Sequence, residues 1–299
     1  MHVTRTLARA AAKAAAVAAA TAALVAPALA APAQAQLPGP ITSSDNTVTM
    51  LNQQGCKPHF LVAVPGGANT IGGVPTFLPH GGQVFSTGLI SQAASAGQIQ
   101  PLWVSYNSAA FLTRRYPNAS AEAYGKTWDT VAKLAQHCPN ASFSLTGYSL
   151  GADVAARLTR DIAYGRGPIA AEKVDAVALI ANPYQGGNGA ALAPGTSPDS
   201  RGALGPLEGG YGQLAGKVLE ICRPDDIVCS TDERFRPLVA PAMQTNASRG
   251  QVPAELGQRL AQLGPGAIDL AAAVGAHGDY GQAAPRMAAD WIVSHTPAR

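Results

Sequence analysis

The segment that most restricts the fold of this chain is residues 142–152, with the sequence SFSLTGYSLGA. Its first half has the character of a short strand, and the residues that follow Ser149 continue at helical spacing. Between these two parts stands a G-x-S-x-G motif. A serine on a sharp turn from strand to helix needs small residues two positions before and two positions after it, and Gly147 and Gly151 meet this need. The segment therefore predicts that Ser149 is a nucleophile raised above the edge of a sheet.

Short apolar segments alternate with longer helical ones along the rest of the chain, which predicts an α/β fold with a central, mainly parallel sheet of about five strands flanked by helices on both faces. The predicted strands are Phe60–Val64, Leu102–Tyr106, Ser142–Thr146, Val174–Ala181 and Lys217–Ile221. Apolar residues at helical spacing predict helices over Ala121–Gln136 and Ala152–Tyr164. The segment from Gln185 to Gly212 is rich in Gly, Pro, Ala and Ser and is predicted to be a long surface loop.

Residues 1–35 have the features of an export signal. Three basic residues precede an Ala-rich apolar run at 14–25, and small-residue cleavage sites end at Ala30 and Ala35. A membrane anchor is the alternative, but the run is shorter than the roughly 20 strongly apolar residues of a spanning helix. We therefore expect a protein that is secreted or associated with the cell envelope, with a single domain at 36–299 and no stable membrane span after signal removal.

The charge of the domain argues against one class of partner. The whole chain has 21 Lys and Arg against 18 Asp and Glu, and three of the basic residues lie in the predicted signal. The remaining domain is near neutral, whereas nucleic-acid binding requires a concentrated basic surface. We expect no nucleic-acid partner and a monomeric protein.

Four cysteines in an exported chain predict two disulfides, and sequence alone allows three pairings. Cys222 and Cys229 are close enough to close one short loop, which leaves Cys56 to pair with Cys138. A zinc site is a weaker interpretation, because neither pair has the close spacing and neighbouring histidines that such a site needs. No metal or organic cofactor is expected.

A serine nucleophile needs a base, and the candidates in the domain are His59, His80, His137, His277 and His295. His59 begins a predicted strand and His137 adjoins a cysteine, so both are predicted to be structural or solvated. His80 precedes the serine in the chain, and His295 lies in the terminal tail. After a strand–serine–helix turn the expected chain order is nucleophile, acid, base, which selects His277, in a predicted loop of small residues before the last helix.

The acid is expected after a late strand, where the sequence ICRPDDIVC provides two aspartates between Cys222 and Cys229. An aspartate here would hold the imidazole in the required tautomer and stabilise it when charged. A polar turn is the alternative interpretation. Spacing alone does not choose between Asp225 and Asp226.

Three segments together resemble the bacterial cutinase-like family of secreted serine esterases, which have the α/β hydrolase fold. They are CPNA at 138–141 with TGYSLGA at 146–152, the Cys222–Cys229 loop, and AHGDYG at 276–281, in which an aromatic follows the base by three residues. In the family the acid lies four residues after the first cysteine of that loop, and this register favours Asp226. The resemblance also implies a disulfide from Cys56 to the cysteine before the serine strand.

Two departures from the family concern the oxyanion hole. Leu150 replaces the usual Gln after the serine, but its backbone N–H is retained as a donor. The family has a hydroxyl residue as second donor, and Gly67 stands in that place, so a backbone donor alone is expected there. Loss of one donor typically costs about 100- to 1000-fold in rate, unless Asn69 or Thr70 substitutes.

The third departure is an insertion between acid and base, residues 231–275, with a helical stretch at Ala254–Leu263. It is either a lid over the site or an added packing element. The resemblance implies a carboxylic ester hydrolase that cleaves lipid-like or short to medium acyl esters through an acyl-enzyme. Two alternatives remain: a cell-envelope acyltransferase with the same triad, and a non-catalytic binding protein that kept the fold.

Overall fold

The computed structural model describes residues 43–110, 113–244 and 262–298, so the predicted signal at 1–35 lies outside the described residues. The helices in these ranges are α1 (Ser43–Gln54), α2 (Gln83–Ala94), α3 (Tyr116–His137), α4 (Leu150–Ala163), α5 (Arg236–Gln244), α6 (Gly266–Gly278) and α7 (Ala283–His295). The strands are β1 (His59–Val64), β2 (Ile99–Trp103), β3 (Ser142–Tyr148), β4 (Val174–Ile180), β5 (Ala191–Leu192) and β6 (Val218–Ile221). Within the same ranges, no helix has the length and apolar character needed to cross a bilayer.

The strands form one six-stranded sheet in the order β2-β1-β3-β4-β6-β5, and every neighbouring pair is parallel. This confirms the predicted α/β fold class. Because strand β3 lies between β1 and β4, the turn that follows it stands at the carboxyl edge near the centre of the sheet. Ligand sites of open parallel sheets lie at this edge.

One strand was predicted with wrong ends, and one was missed. Strand β2 was predicted over Leu102–Tyr106, but it spans Ile99–Trp103 and includes Pro101. Proline is tolerated there because β2 is an edge strand, in which a missing N–H leaves no neighbouring strand unpaired. The short strand β5 was not predicted. It has two residues, too few for a period-2 pattern to be visible in the sequence.

Helices cover both faces of the sheet. On one face α3 packs against α1 and α4, and α4 packs against β3 and β4. On the other face α2 and α7 pack against each other and against β2 and β4. Side chains of the strands alternate between the two cores, so that Val62 and Leu145 lie in the first and Leu61 and Ala178 in the second. Burial on both faces explains why β1 and β4 have few polar residues in sequence.

The segment 185–212 is largely irregular, as predicted, but it does not lie wholly on the surface, because several of its polar residues are buried. The carboxylate of Glu220 on β6 is 1% exposed and accepts hydrogen bonds from Asn182 (3.2 Å), Asn188 (3.0 Å) and the Tyr211 hydroxyl (2.8 Å). A buried carboxylate is stabilised by such donors. The segment is therefore anchored to the sheet by a polar network that its Gly- and Pro-rich composition does not indicate.

Two disulfides join Cys56 to Cys138 and Cys222 to Cys229, as predicted. In the insertion at 231–275, helix α5 packs against α3 and buries Leu238 and Met243. The first part of the insertion is thus a packing element. The predicted helical stretch at Ala254–Leu263 lies almost entirely outside the described residues, and a lid there stays a prediction.

Candidate active site

Ser149 occupies a tight turn between β3 and α4. Its φ of 55° and ψ of −118° lie in a region that non-glycine residues rarely adopt, at a cost of about 1–3 kcal/mol. A Cβ at Gly147 would overlap the backbone of Gly151, and a Cβ at Gly151 would overlap the carbonyl of Val64 on β1. Both glycines of the motif are therefore required by backbone contacts, which allow the strained turn to form.

The structure brings Ser149, His277 and Asp226 together. Ser149 Oγ lies 2.9 Å from His277 Nε2, and His277 Nδ1 lies 3.0 Å from both carboxylate oxygens of Asp226. Asp226 is fully buried, whereas the side chain of His277 is 20% exposed. A proton on Nδ1 is donated to the carboxylate, which leaves Nε2 as the acceptor for the serine hydroxyl. This geometry suits deprotonation of Ser149 by the imidazole.

His277 was predicted to lie in a loop, and this is wrong. It lies in the last turn of helix α6, which ends at Gly278. The glycines at 275 and 278 favoured a loop in the sequence, but each costs only about 1 kcal/mol in a helix, and the Ala-rich residues around them have high helix propensity. The helix gives the imidazole a rigid support.

The two aspartates of the Cys222–Cys229 loop differ in environment. Asp225 is 60% exposed and pairs with Arg223 (Nη2 to Oδ2, 2.8 Å), and the hydrogen bond from Arg223 lowers the pKa of Asp225 below its usual value. Asp226 points inward, where Oδ1 accepts hydrogen bonds from the N–H groups of Val228 (2.6 Å) and Cys229 (3.4 Å). The disulfide-closed loop thus directs the second aspartate, not the first, toward His277.

Two tyrosines near the site had no role predicted from the sequence, although Tyr280 is the aromatic of the AHGDYG segment. The Tyr148 ring stacks on the His277 imidazole with centroids 5.4 Å apart and an interplanar angle of 18°, and its hydroxyl donates to the His277 carbonyl at 2.5 Å. Burial, together with the charge of Asp226, raises the pKa of Tyr148. The Tyr280 hydroxyl contacts Asp226. In the sequence, the signal for Tyr148 is its position directly before Ser149, and the signal for Tyr280 is its position three residues after His277.

The predicted oxyanion donors lie on either side of the elbow. Leu150 is the first residue of α4, so its N–H has no intrahelical acceptor. In the loop after β1, the N–H of Ala68 donates to the Ser108 carbonyl (2.6 Å), and no acceptor for the N–H of Gly67 is found among the described residues. The Thr70 hydroxyl donates to the Ile71 carbonyl (3.3 Å), so it is already engaged.

The remaining histidines have other partners. Nδ1 of the buried His59 lies 2.7 Å from Ser142 Oγ and 3.1 Å from Asp175, at the amino ends of β1, β3 and β4, opposite to the edge that carries Ser149. The other three bond to backbone carbonyls close to them in sequence: His80 to Leu78, His137 to Lys133 and His295 to Trp291. In the described part of the chain, no cluster of three or more His, Cys, Asp or Glu side chains forms a potential metal site.

The sheet is parallel with helices on both faces, and the serine stands on a strand–turn–helix elbow in contact with a histidine, which in turn contacts an aspartate. These features together define an α/β hydrolase. The family model for cutinases matches residues 72–249, more than half of the chain. The chain belongs to the cutinase family, and it is a serine carboxylic ester hydrolase. Family and disulfides together indicate an extracellular enzyme.

Among curated proteins, the chain is 27% identical over 222 residues to the carboxylesterase Culp6 homolog of Corynebacterium glutamicum. The matched region covers 64% of this chain and 71% of that protein. Among solved structures, lysin B from mycobacteriophage D29 is 18% identical with a TM-score of 0.53, covering 79% of this chain and 99% of that chain. A cutinase-like protein from Cryptococcus sp. is 20% identical with a TM-score of 0.44, covering 76% and 98%. The similarity to lysin B supports the fold.

Proposed function

We propose that this enzyme is exported and hydrolyses lipid-like or short to medium acyl esters, with Ser149 as nucleophile, His277 as general base and Asp226 as the residue that orients the base. The observation that carries the proposal is the continuous chain of contacts from Ser149 Oγ through the imidazole to the buried carboxylate, at 2.9 and 3.0 Å. Both distances are within the range expected of a nucleophile, its base and the orienting acid.

Acylation follows from this geometry. Ser149 Oγ attacks the ester carbonyl carbon while its proton passes to Nε2 of His277, and the carbonyl oxygen becomes an oxyanion near the N–H groups of Leu150 and Gly67. The ester C–O bond then breaks, and the alcohol leaves with the proton from His277. The acyl group remains on Ser149.

Deacylation reverses the roles. A water molecule attacks the acyl carbon and gives one proton to His277, and the bond from the acyl carbon to Ser149 Oγ breaks as His277 returns that proton to the serine. Asp226 keeps its negative charge throughout and stabilises the imidazolium in both steps. The carboxylic acid is the second product.

Exposed apolar side chains support an apolar acyl group as the substrate. Ile71 is 64% exposed, and Phe77 and Leu78 are also exposed in the segment that follows the Gly66–Thr70 loop. Ile268 (69%) and Val274 (46%) are exposed on α6, the helix that carries His277. Exposed apolar side chains on the segments that carry the predicted oxyanion donor and the histidine suit an ester with an alkyl chain.

The proposal is tested by hydrolysis of p-nitrophenyl esters of increasing acyl length by the purified protein and by Ser149→Ala. We expect turnover of acetate through octanoate esters, with a loss of at least 1000-fold in Ser149→Ala. Residual activity near wild type in that variant would reject Ser149 as nucleophile. Addition of an acceptor alcohol tests the acyltransferase alternative, since a transferred ester that exceeds the free acid would favour transfer over hydrolysis.

A further inference from the structure

The carboxylate of Asp226 is stabilised without a Lys or Arg partner among the described residues. It is fully buried, and His277 forms its one ion-pair contact in that part of the chain. A buried carboxylate is strongly disfavoured unless hydrogen-bond donors replace the lost water. The donors to Asp226 therefore determine how firmly the charge is held and where the carboxylate points.

Two of these donors are backbone groups of its own loop, and two are side chains. Val228 and Cys229 donate through their N–H groups to Oδ1, and His277 reaches both oxygens. The Tyr280 hydroxyl lies 2.6 Å from Oδ2. Apart from His277, it is the one side-chain donor to this carboxylate that the described residues provide.

The direction of the Tyr280 hydrogen bond is set by its surroundings. The N–H of Arg223 donates to the Tyr280 oxygen at 3.2 Å, so the hydroxyl proton remains available for Asp226. The nearby Cys229 sulfur, at 3.2 Å, is in a disulfide and carries no proton to donate. Burial, together with the charge of Asp226, raises the pKa of Tyr280, so the hydroxyl keeps its proton.

The position of Tyr280 links the two segments of the site that must stay in register. It follows His277 by three residues, yet its hydroxyl bonds to the acid loop at both Arg223 and Asp226. Its ring is 7% exposed and meets the Tyr148 ring edge-on at 6.1 Å. Tyr148 in turn stacks on the imidazole, so the hydroxyl of Tyr280 is held in place by packing.

We propose that Tyr280 is a positioning residue of the catalytic site: its hydroxyl holds the Asp226 carboxylate toward His277 and takes up part of its negative charge. This inference rests on the proposed triad. The shared charge weakens the hold of the carboxylate on the proton that His277 receives. Without the hydroxyl, more of the negative charge faces the imidazole, so we expect the pH dependence of activity to change.

The test is Tyr280→Phe, which removes the hydroxyl and keeps the ring. We expect kcat to fall about 10-fold, because the Asp226 carboxylate is no longer held toward His277, while KM changes less than 2-fold. The acid limb of the kcat/KM profile is expected to move to higher pH by at least 0.3 units, about a 2-fold change in proton affinity. A fall in thermal stability with an unchanged limb and unchanged kcat would overturn the proposal.

Tyr124→Phe is the matched control, because the Tyr124 hydroxyl also bonds to a carboxylate at 2.6 Å, that of Asp161 on α4, outside the catalytic site. It should leave kcat and the pH profile unchanged. A second comparison places Tyr280→Phe in an Asp226→Ala background. If Tyr280 acts through Asp226, the double variant has the kcat of Asp226→Ala, whereas a further 10-fold loss would contradict the proposal. Full activity of Ser149→Ala would instead reject the triad itself.

Discussion

Ser149 Oγ and His277 Nε2 lie 2.9 Å apart although 128 residues separate them in the chain. The elbow after β3 fixes the first atom, and the last turn of helix α6, with the Tyr148 ring stacked on the imidazole, fixes the second. Because both atoms stand on rigid elements, the pair is preorganised before substrate binds, which lowers the entropic cost of reaching the transition state.

The two neighbouring aspartates allow a test of the acid. Asp226→Asn should lower kcat about 10,000-fold, because an amide no longer fixes the required imidazole tautomer. Asp225→Asn should stay within 3-fold of wild type, since Asp225 is exposed and pairs with Arg223. Steady-state hydrolysis of a p-nitrophenyl ester measures both variants. Equal losses in the two variants would contradict the assignment of Asp226.

The two disulfides are expected to have different effects. The double variant Cys222→Ser, Cys229→Ser removes the bridge across the loop that contains Asp226, whose ends are seven residues apart. We expect kcat to fall at least 10-fold and the free energy of unfolding to fall by about 2 kcal/mol. The double variant Cys56→Ser, Cys138→Ser removes the bridge between residues 82 positions apart. We expect the free energy of unfolding to fall by about 4–5 kcal/mol, with kcat largely retained. Urea unfolding and ester hydrolysis give the two quantities, and the reverse pattern would count against a catalytic role for the acid loop.

The loop after β1 has space at Gly67 for the side-chain hydroxyl donor that the family has there. A Cβ at Gly67 would have its nearest neighbours, Ala110 Cβ and the Ser108 carbonyl, at 3.9 Å, and the backbone there is not left-handed. Gly67→Ser therefore fits and restores a hydroxyl where the family has one, so we expect kcat to rise about 10-fold. Gly66→Ser is the control, since its Cβ would lie 2.7 Å from the Tyr148 ring and should lower activity. Unchanged kcat in Gly67→Ser would show that no donor is lacking.

Glu122 supplies a pH-dependent contribution to stability. Partial burial acts to raise its pKa, but hydrogen bonds from Arg114 and Lys126 lower the pKa of Glu122 from 4.5 to about 2. A carboxyl group whose pKa is lowered by folding stabilises the folded state at pH values above its ordinary pKa. This stabilisation is lost as the pH falls from about 4.5 toward 2. Glu122→Gln should lower the free energy of unfolding by about 1 kcal/mol at pH 7 and by less at pH 2.5. An equal difference at the two pH values would contradict this account.

The parts of the site that sequence could predict are those set by local chemistry. Gly147 and Gly151 are required by the turn itself, so the elbow is visible in the motif. The register of Asp226 between its cysteines is likewise local, once the family resemblance is applied. The roles of Tyr148 and Tyr280 depend on contacts across more than 50 residues of chain, which no local pattern encodes.

The same distinction applies to the fold. The central strands β3 and β4 were predicted within two residues of their observed ends. The segment 185–212 was predicted as a surface loop because its Gly and Pro residues are typical of loops, yet Glu220 holds it from a strand that follows it. Tertiary hydrogen bonds of this kind override composition.

The most direct test of the triad is the mass of the intact protein after reaction with a p-nitrophenyl alkyl phosphonate, which forms a stable adduct with an activated serine. We expect a single adduct that maps to Ser149, absent in Ser149→Ala and formed at least 1000-fold more slowly in His277→Ala. Labelling at another residue, or equal labelling of wild type and His277→Ala, would contradict activation of Ser149 by His277.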